Sequence, residues 1–476
     1  MTKPSYQYLF AIGLALIFAG CTVPTLVRKD VNKEMPIRYA TSQDTTNIAR
    51  IRWADFFKDP HLKALIDTAL RNNQELNIML QEMEIAKNEV SARKGEYLPF
   101  VDLTGAAEVE KAARYTQRGS SEATTEIKPG KETPEPLPDF LVGAFARWEV
   151  DIWHKLRNAR KAAAMRYLAT AEGKNFMVTH LIAEIANAYY ELLALDNQLA
   201  IIQQNIQIQT DVLEIMKLQK QAARVTELAV RRFQAQLLNT TGLQYDIQQR
   251  IVEIENRINF LVGRYPQHVD RDADGFIKLV PDQVYEGLPA QLLGNRPDVR
   301  QAEMQLEAAR LDVKAAKANF YPKLGLSAAV GLQSYDPTQL FIMPESLLIG
   351  LAGDLTGPLI NKRAIKAQYL NANAMQIQAI YHYEQTVLNA FIEVSNQLSM
   401  INNMERRYDL KRQEVEALNQ SIHISNDLFL SARADYMEVL ITQRDALESR
   451  FELVETKKRQ MNALVNVYQA LGGGWN

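Results

Sequence analysis

Few side chains in this sequence are spaced for chemistry. The six histidines (His61, His154, His180, His268, His382, His423) fall at no spacing that suits a metal, and no Walker-type glycine loop is present. The run "DRDADG" at Asp270–Gly275 copies the opening of an EF-hand loop. Its ninth position is Lys278, however, and its twelfth, where a bidentate Glu belongs, is Pro281. A polar turn is expected there, with no metal and no bound cofactor. One nucleophile remains: Cys21 is the only cysteine in 476 residues, which excludes an intrachain disulfide framework. The chain reads as a non-enzyme.

The surroundings of Cys21 give its thiol a role. Lys3 precedes the apolar run Leu9–Ala19, "LFAIGLALIFA", too short to span a bilayer but suited to a signal-peptide core. Ala19 and Gly20 then lead into the cysteine. The arrangement resembles a bacterial lipobox, with Phe18 where such motifs usually carry Leu. It implies cleavage before Cys21, an N-acyl and S-diacylglycerol lipid on that residue, and no other cofactor. Thr22 follows, with no Asp to signal inner-membrane retention. The formal charge of −2 gives no reason to expect nucleic acid. No apolar stretch long enough for a spanning helix follows Cys21, so a chain that crosses a membrane must do so as strands.

The elements around these residues are unusually long. Between Lys155 and Gln219 there is no proline, and Leu181, Ile185, Ala188, Leu192, Leu195, Leu199, Ile202 and Ile206 step by four and three in a heptad seam. A helix of that length reaches about 95 Å. A second such stretch runs from about Asn361 to Leu430, with Val387, Phe391, Val394, Leu398 and Ile401 in the same rhythm. Shorter helices are expected from Asp59-Pro60 to about Arg93, and over Thr226–Val262, Arg296–Ala318 and Asp435–Leu471. The chain also repeats itself: Asn72–Pro99 lies over Asn295–Pro322 without a gap, Ala223-Arg224 matches Ala432-Arg433, and Gly263 matches Gly472.

Four stretches have period two instead. Val101, Leu103, Gly105, Ala107 and Val109 alternate with polar neighbours. So do Phe140, Val142, Ala144, Ala146, Trp148, Val150 and Ile152; Leu324, Leu326, Ala328, Val330 and Leu332; and Leu347, Ile349, Leu351 and Leu355. Each is a strand with one greasy face, of the length a transmembrane barrel uses. Tyr97, Phe100, Trp153, Phe320 and Tyr321 crowd the helix–strand junctions, as an interfacial aromatic belt would. Four strands cannot close a barrel, and an open edge in lipid leaves backbone groups unsatisfied. Several copies must pool their strands; eight, twelve or sixteen are all permitted. Gly119–Asp139 is proline-rich and charged, an exposed loop, and Ser334–Ser346 links the second strand pair.

Trp53 with Phe57-Lys-Asp-Pro60, the run "RPDVRQAEMQLEAARLDVKAAKANFYPKLGL" and the terminal "ALGGGW" closely resemble the outer membrane factor family, TolC-like channels, in the lipoprotein branch that serves resistance-nodulation-division efflux pumps. The resemblance covers about Trp53 to Trp475. It implies an α+β membrane protein: a trimeric twelve-stranded β-barrel continued by a long coiled-coil periplasmic barrel, each protomer an internal duplication. The segments divide accordingly. Residues 1–20 are a signal peptide and 21–58 a lipid-anchored extended segment. Residues 59–98 and 155–263 are first-repeat helices around a β-hairpin at 99–154. An equatorial segment at 264–294 leads to second-repeat helices at 295–321 and 361–472 around a hairpin at 322–360.

The implied function is that of an outer-membrane exit duct of a tripartite efflux pump, lipid-anchored in a Gram-negative cell and reaching into the periplasm. It would be a passive conduit for drugs or other small toxic solutes. Its partners would be two further copies, outer-membrane lipid, a periplasmic membrane-fusion adaptor and an inner-membrane pump, which supplies the energy.

A free channel should be shut at the helix tips, near Gln219–Thr226 and Leu430–Asp435. Met437, Ile441 and Arg444 share one helix face by spacing. In related channels the matching positions carry an apolar residue, a carboxylate and an arginine that narrow the mouth; Met437 and Arg444 fit, Ile441 departs, and Glu438 and Asp445 stand near as carboxylates. Against this, Asp435 with Glu438 reads as a capping-box-like helix start, and Arg444 with Glu448 as an i,i+4 surface pair. The family usually has glycine at the tip turns. Here Ala223 and Ala432 take those places, followed by Arg224 and Arg433, which implies tighter or more helical turns at the adaptor-docking tips.

Three other readings exist. A type I secretion channel would share the architecture and differ in its neighbouring genes. A lipid-anchored coiled-coil scaffold without a pore would have no use for the greasy strands. A metal-ion duct gains nothing from fourteen scattered methionines, which read as core filler.

Overall fold

The computed structural model describes residues 23–32, 34–39, 47–280, 287–431 and 433–475. Cys21 and the signal segment, Pro281 and Ala432 lie outside the described residues. The long elements are helices α1 (Pro60–Asn72), α2 (Gln74–Glu96), α3 (Lys155–Gln221), α4 (Glu227–Val262), α5 (Pro297–Ala318), α6 (Arg363–Leu430) and α7 (Tyr436–Ala470). The strands are β1 (Phe100–Glu110), β2 (Glu126–Lys128), β3 (Lys131–Glu132), β4 (Leu137–Val150), β5 (Lys323–Ser334) and β6 (Leu347–Thr356). The chain divides into two compact units.

The first unit comprises Met1–Asp30, Glu84–Tyr167 and Met304–Ile380. Its centre is an antiparallel sheet in the order β1-β4-β5-β6. Register follows the apolar alternation without a slip: Val101 pairs with Ala146, Ala146 with Ala328, and Ala328 with Leu351. Leu103, Ala144, Val330 and Ile349 form the next row. Paired residues point to one side, so the greasy halves of four strands make one continuous face. That face is bare. Leu103 is 83%, Ile349 72% and Leu351 84% exposed. Residues 23–30 run extended in this unit, with Val23 and Leu26 packed on Val313, Phe320 and Tyr369.

The second unit comprises Val31–Met83, Leu168–Glu303 and Tyr381–Asn476. The heptad seam of α3 is its spine: Leu181, Ile185, Ala188, Leu192, Leu195 and Ile202 are each at most 2% exposed. The first four meet Leu62, Ile66, Ile258, Val262 and Val465 from the shorter helices, and Leu195 and Ile202 cluster with Ile247 of α4. A second cluster gathers Val394, Leu398, Val467, Tyr468 and Leu471. Tyr468 stacks on Phe56 at 4.1 Å, and its hydroxyl donates to the Ile51 carbonyl at 2.6 Å.

The single helix expected from Asp59-Pro60 to Arg93 is broken at Asn73, whose backbone is extended. The Asn73 side chain stabilises the break by accepting from Leu76 N–H and donating to the Leu261 carbonyl, both at 2.9 Å. Arg296 marks the same point of the second repeat, between the short helix Leu292–Asn295 and α5. The loop between β1 and β4 is also more ordered than its composition suggests. It holds a short helix (Gln117–Glu122) and the β2–β3 hairpin.

Candidate functional site

The face of the sheet opposite the greasy one is small and polar. Asp102, Arg147, Glu149, Ser327, Lys323 and Asp354 share it by register. Arg147 lies 3.3 Å from Asp102, and Lys155, at the start of α3, lies 3.4 Å from Glu149. Between these charges most positions are cut back to Gly143, Gly331, Ala329, Gly350 and Ala352, with Leu141 and Phe145 the large apolar exceptions on β4. At the Gly143–Gly331 pair a Cβ on either residue would come within 3.0 Å of the opposite backbone, so the two strands approach only because both are glycine. The result is an alternately charged, wettable surface backed by a surface suited to hydrocarbon.

The junction aromatics divide. Trp153 stacks on Tyr321 at 4.7 Å, and its indole N–H donates to the Pro322 carbonyl at 2.8 Å. The Tyr97 carbonyl accepts from the Trp148 indole at 3.1 Å, while Arg157 sits over the Tyr97 ring. Two of the expected aromatics lie elsewhere in the protomer. Phe100 pairs with Arg147 and lies on the charged face, under that guanidinium at 5.9 Å. Phe320 is 1% exposed in the Val313–Tyr369 cluster, because the last turn of α5 points it inward. Trp148 lies on the apolar face, opposite Leu326.

At the helix tips, α3 ends in a turn around Ala223 whose φ is +56°. Arg224 N–H donates to the Gln219 carbonyl and Ala223 N–H to that of Lys220, both at 2.9 Å, the bond pair of a Schellman motif. The turn is therefore neither tighter nor more helical than a glycine turn. Alanine occupies the left-handed position glycine would take. Glu227, the first residue of α4, closes the turn by pairing with Lys220 and, at 2.8 Å, with Arg231. The Lys220 contact, then that of Arg231, holds its carboxyl below the ordinary range. In the second repeat Arg433 N–H donates to the Leu428 carbonyl at 2.8 Å, the same long bond. Both turns share one small core: Leu213, Met216, Val230 and Phe233 with Phe429, Tyr436 and Leu440.

On α7, Glu438, Ile441 and Arg444 are exposed, while Met437 and Asp445 are half-buried. The exposed stripe thus steps by three. Met437 Sδ is 2.8 Å from Arg232 Nη1 on α4. Two expected local pairs do not form. Asp435 caps α7 without a side-chain bond, and Arg444 reaches Asp445 at 3.1 Å instead of Glu448. Gln443, on the buried face, has neither amide atom bonded to a described residue.

In the acidic turn, Asp272 accepts from Asp274 N–H at 3.1 Å, and Arg271 turns inward to Asp196 and Glu255, both at 2.5 Å. Phe276, 1% exposed, anchors the short 3-10 turn Phe276–Lys278 in the core of the second unit. Among the described residues no group of three or more His, Cys, Asp or Glu could hold a metal ion, and no helix is long and apolar enough to cross a membrane.

Comparison with known proteins agrees with this geometry. A family model described as outer membrane efflux protein matches residues 65–264 and 288–473. The chain is 26% identical over 475 residues to the pyoverdine export outer membrane protein OpmQ of Pseudomonas aeruginosa, covering 99% of this chain and 98% of that one. It is 24% identical over 473 residues to the probable outer membrane lipoprotein SilC of Salmonella typhimurium, covering 98% of each. Among solved structures, the open state of the MtrE outer membrane channel of Neisseria gonorrhoeae superposes with a TM-score of 0.83 at 21% identity, over 96% of this chain and 98% of that one.

Proposed function

The chain belongs to the outer membrane efflux protein family, and from that membership we propose that it is the exit duct of a tripartite efflux pump in the outer membrane. Three copies pool their sheets into a twelve-stranded barrel whose greasy face meets lipid and whose charged face lines the bore. The helices continue the duct into the periplasm, where a membrane-fusion adaptor and an inner-membrane pump engage it. The duct performs no chemistry and supplies no energy; it holds a water-filled path open through a membrane.

One observation carries this reading. The sheet has an exposed apolar face, and its edge strands β1 and β6 have no strand partner among the described residues. In hydrocarbon each unpaired backbone group costs several kcal/mol, which only closure removes. The edges β6 and β1 of neighbouring copies are the groups available to close it. Heat-modifiable migration of the purified protein together with ion conduction in planar bilayers tests the proposal. A monomer that conducts nothing would end it, and would favour a scaffold.

The anchor fits the same picture. Val23, two positions after Cys21, packs beside Phe320 at the junction of α5 and β5, where the sheet begins. A diacylglycerol on Cys21 would anchor the chain to the inner leaflet. An intact mass lacking that lipid would refute it. The cargo named for relatives differs between pyoverdine, solvent, toluene and cations, and a passive bore leaves that choice to the pump.

A further inference from the structure

We propose that the β2–β3 hairpin is a clamp across the outer end of the bore, and that Lys128 and Lys131 hold it closed and thereby set the size of solute that passes. The proposal rests on the reading above, in which the charged face of the sheet lines a water-filled duct.

The hairpin is a built element. Pro129-Gly130 makes its turn, with Gly130 at φ +74° and its N–H donating to the Glu126 carboxylate at 2.9 Å. Thr133 gives both its N–H and its hydroxyl to the Thr125 carbonyl, at 3.2 and 2.8 Å. This turn sets Lys128 directly opposite Lys131. Two like charges facing each other across a hairpin destabilise it, so a hairpin that keeps them must find compensation elsewhere.

It finds it on the other loop. The two ammonium groups lie 5.8 and 5.9 Å from the centre of the Tyr335 ring, within range of a cation–π attraction. Asp336 stands next, its carboxyl fixed by the N–H and hydroxyl of Thr338 at 2.9 and 2.7 Å. The loop carrying them, residues 335–346, is itself braced: Ser346 Oγ donates to the Gln339 carbonyl at 2.7 Å, and Leu340 is buried. A hairpin joined to the sheet only through its loop therefore rests on a braced one.

The side on which they meet decides the function. The cavity beneath the contact is lined by Ile127, Lys128, Asp139, Gln333, Tyr335 and Glu345, among others. Asp139 and Gln333 are hydrogen-bonded at 2.7 Å and both belong to the polar face by register. Of the strand residues in that lining, Asp139, Gln333 and Leu348 belong to the polar face and Ser334 and Leu347 to the other, so the charged side of the contact is the bore side. In a closed ring three such clamps would narrow the outer mouth, held by ring and charge contacts and not by a packed core.

Labelling of intact cells tests this independently of any gate at the helix tips. Cys21 is the only native cysteine, so Ala352→Cys on the polar face is a clean reporter and Ser120→Cys on the exposed loop controls for surface amount. A small maleimide and a polymer-linked maleimide are added from outside. With Ala352→Cys alone the small reagent reacts readily and the large one slowly. Adding Lys128→Glu and Lys131→Glu, or replacing residues 126–132 by a Gly-Ser loop, should raise the large reagent's rate several-fold and leave the small one's unchanged. Equal rates for the large reagent in all three backgrounds would overturn the clamp while leaving the duct intact. A small reagent that labels Ser120→Cys but never Ala352→Cys would overturn the duct reading and the clamp with it.

Discussion

Gly472 packs so closely on Asn295 that a Cβ added to it would stand 2.6 Å from the asparagine's carbonyl oxygen. Gly263 meets Asn72 in the same way, at 2.5 Å. The two pairs are equivalent in the internal repeat, and each glycine terminates a helix in the left-handed region, at φ +89° and +75°. Beside each joint a buried side chain caps the helix: Asn73 donates to the Leu261 carbonyl at 2.9 Å, Arg296 to that of Ala470 at 2.7 Å. The duplication kept the joint and changed the cap. A buried guanidinium needs carboxylates, and Asp298 and Glu393 supply them at 2.7 and 2.8 Å.

These joints and the tip turn should respond to substitution with opposite signs. Gly263→Ala or Gly472→Ala forces alanine into a left-handed conformation, about 1–2 kcal/mol, and drives its methyl into a backbone carbonyl that cannot step aside. Each variant should lose at least about 2 kcal/mol of stability. At Ala223 the left-handed strain is already present. Ala223→Gly relieves that 1–2 kcal/mol and costs about 0.4–1 kcal/mol in unfolded-chain entropy, leaving a net gain of about 0–1.6 kcal/mol. Thermal dissociation of the assembled protein on gels reads all three; a gain at Gly472 or a clear loss at Ala223 contradicts the argument.

The sheet was legible because a period of two records both the strand and its face, and the register kept the alternating apolar positions on one side, leaving only Phe100, Leu141, Phe145 and Leu348 among the large apolar residues on the other. The α3 seam was legible for the same kind of reason. What escaped were features where one residue works against its type. Asn73 breaks an otherwise helical run, marked only by its own residue type, a favoured N-cap, whereas Arg296 is followed by a proline. Ala223 favours helix and yet sits left-handed, because the chain must reverse there. Phe320 looks like a belt aromatic until the turn of α5 directs it inward. Lys128 and Lys131 read as loop solvation until the turn sets them opposite each other over a ring from a distant segment.

Lys457 gives a pH dependence with a fixed sign. It is 3% exposed; its ammonium donates to the Leu279 carbonyl at 2.7 Å and to Gln460 at 3.0 Å, and lies 4.0 Å from the Tyr408 ring centre. Burial brings its pKa down to about 8, opposed only weakly by Asp409. An unfolded lysine titrates near about 10.4. Between those two values the unfolded chain binds more protons, so stability rises with pH across that window and is flat below it. The full rise is at most about 3 kcal/mol. Thermal denaturation from neutral to alkaline pH should show it in the parent protein and not in Lys457→Met.

Arg433 presents its side chain beside the second tip turn while its backbone holds the long bond to Leu428. A substitution that changes only the side chain therefore leaves the turn standing. Arg433→Glu should weaken capture of a periplasmic adaptor in a pull-down and leave assembly on gels unchanged. Undiminished capture would remove this tip from the docking surface.

The gate is argued from what the α7 stripe lacks. Val439, Gln443 and Ala446 bury one side of the helix, and Glu438, Ile441 and Arg444 stand exposed on the other. Ile441, at 44% exposure, is an apolar residue with no cover from its own protomer. Among the described residues Arg444 has one ion pair, with its sequence neighbour Asp445 at 3.1 Å, and a surface pair of that kind holds with about 0–1 kcal/mol. Such a guanidinium exchanges partners readily, and in a closed ring the next copy's Glu438 carboxylate is of the right charge to take it. Met437 is steadied separately, by Arg232 from α4. Arg444→Ser should therefore raise single-channel conductance several-fold and Glu438→Ala should raise it too. Arg232→Ala should make the closed state noisier without enlarging the open one. If Arg444→Ser and Glu438→Ala both conduct as the parent does, no ring of charge at this level closes the mouth, and the restriction lies on another helix.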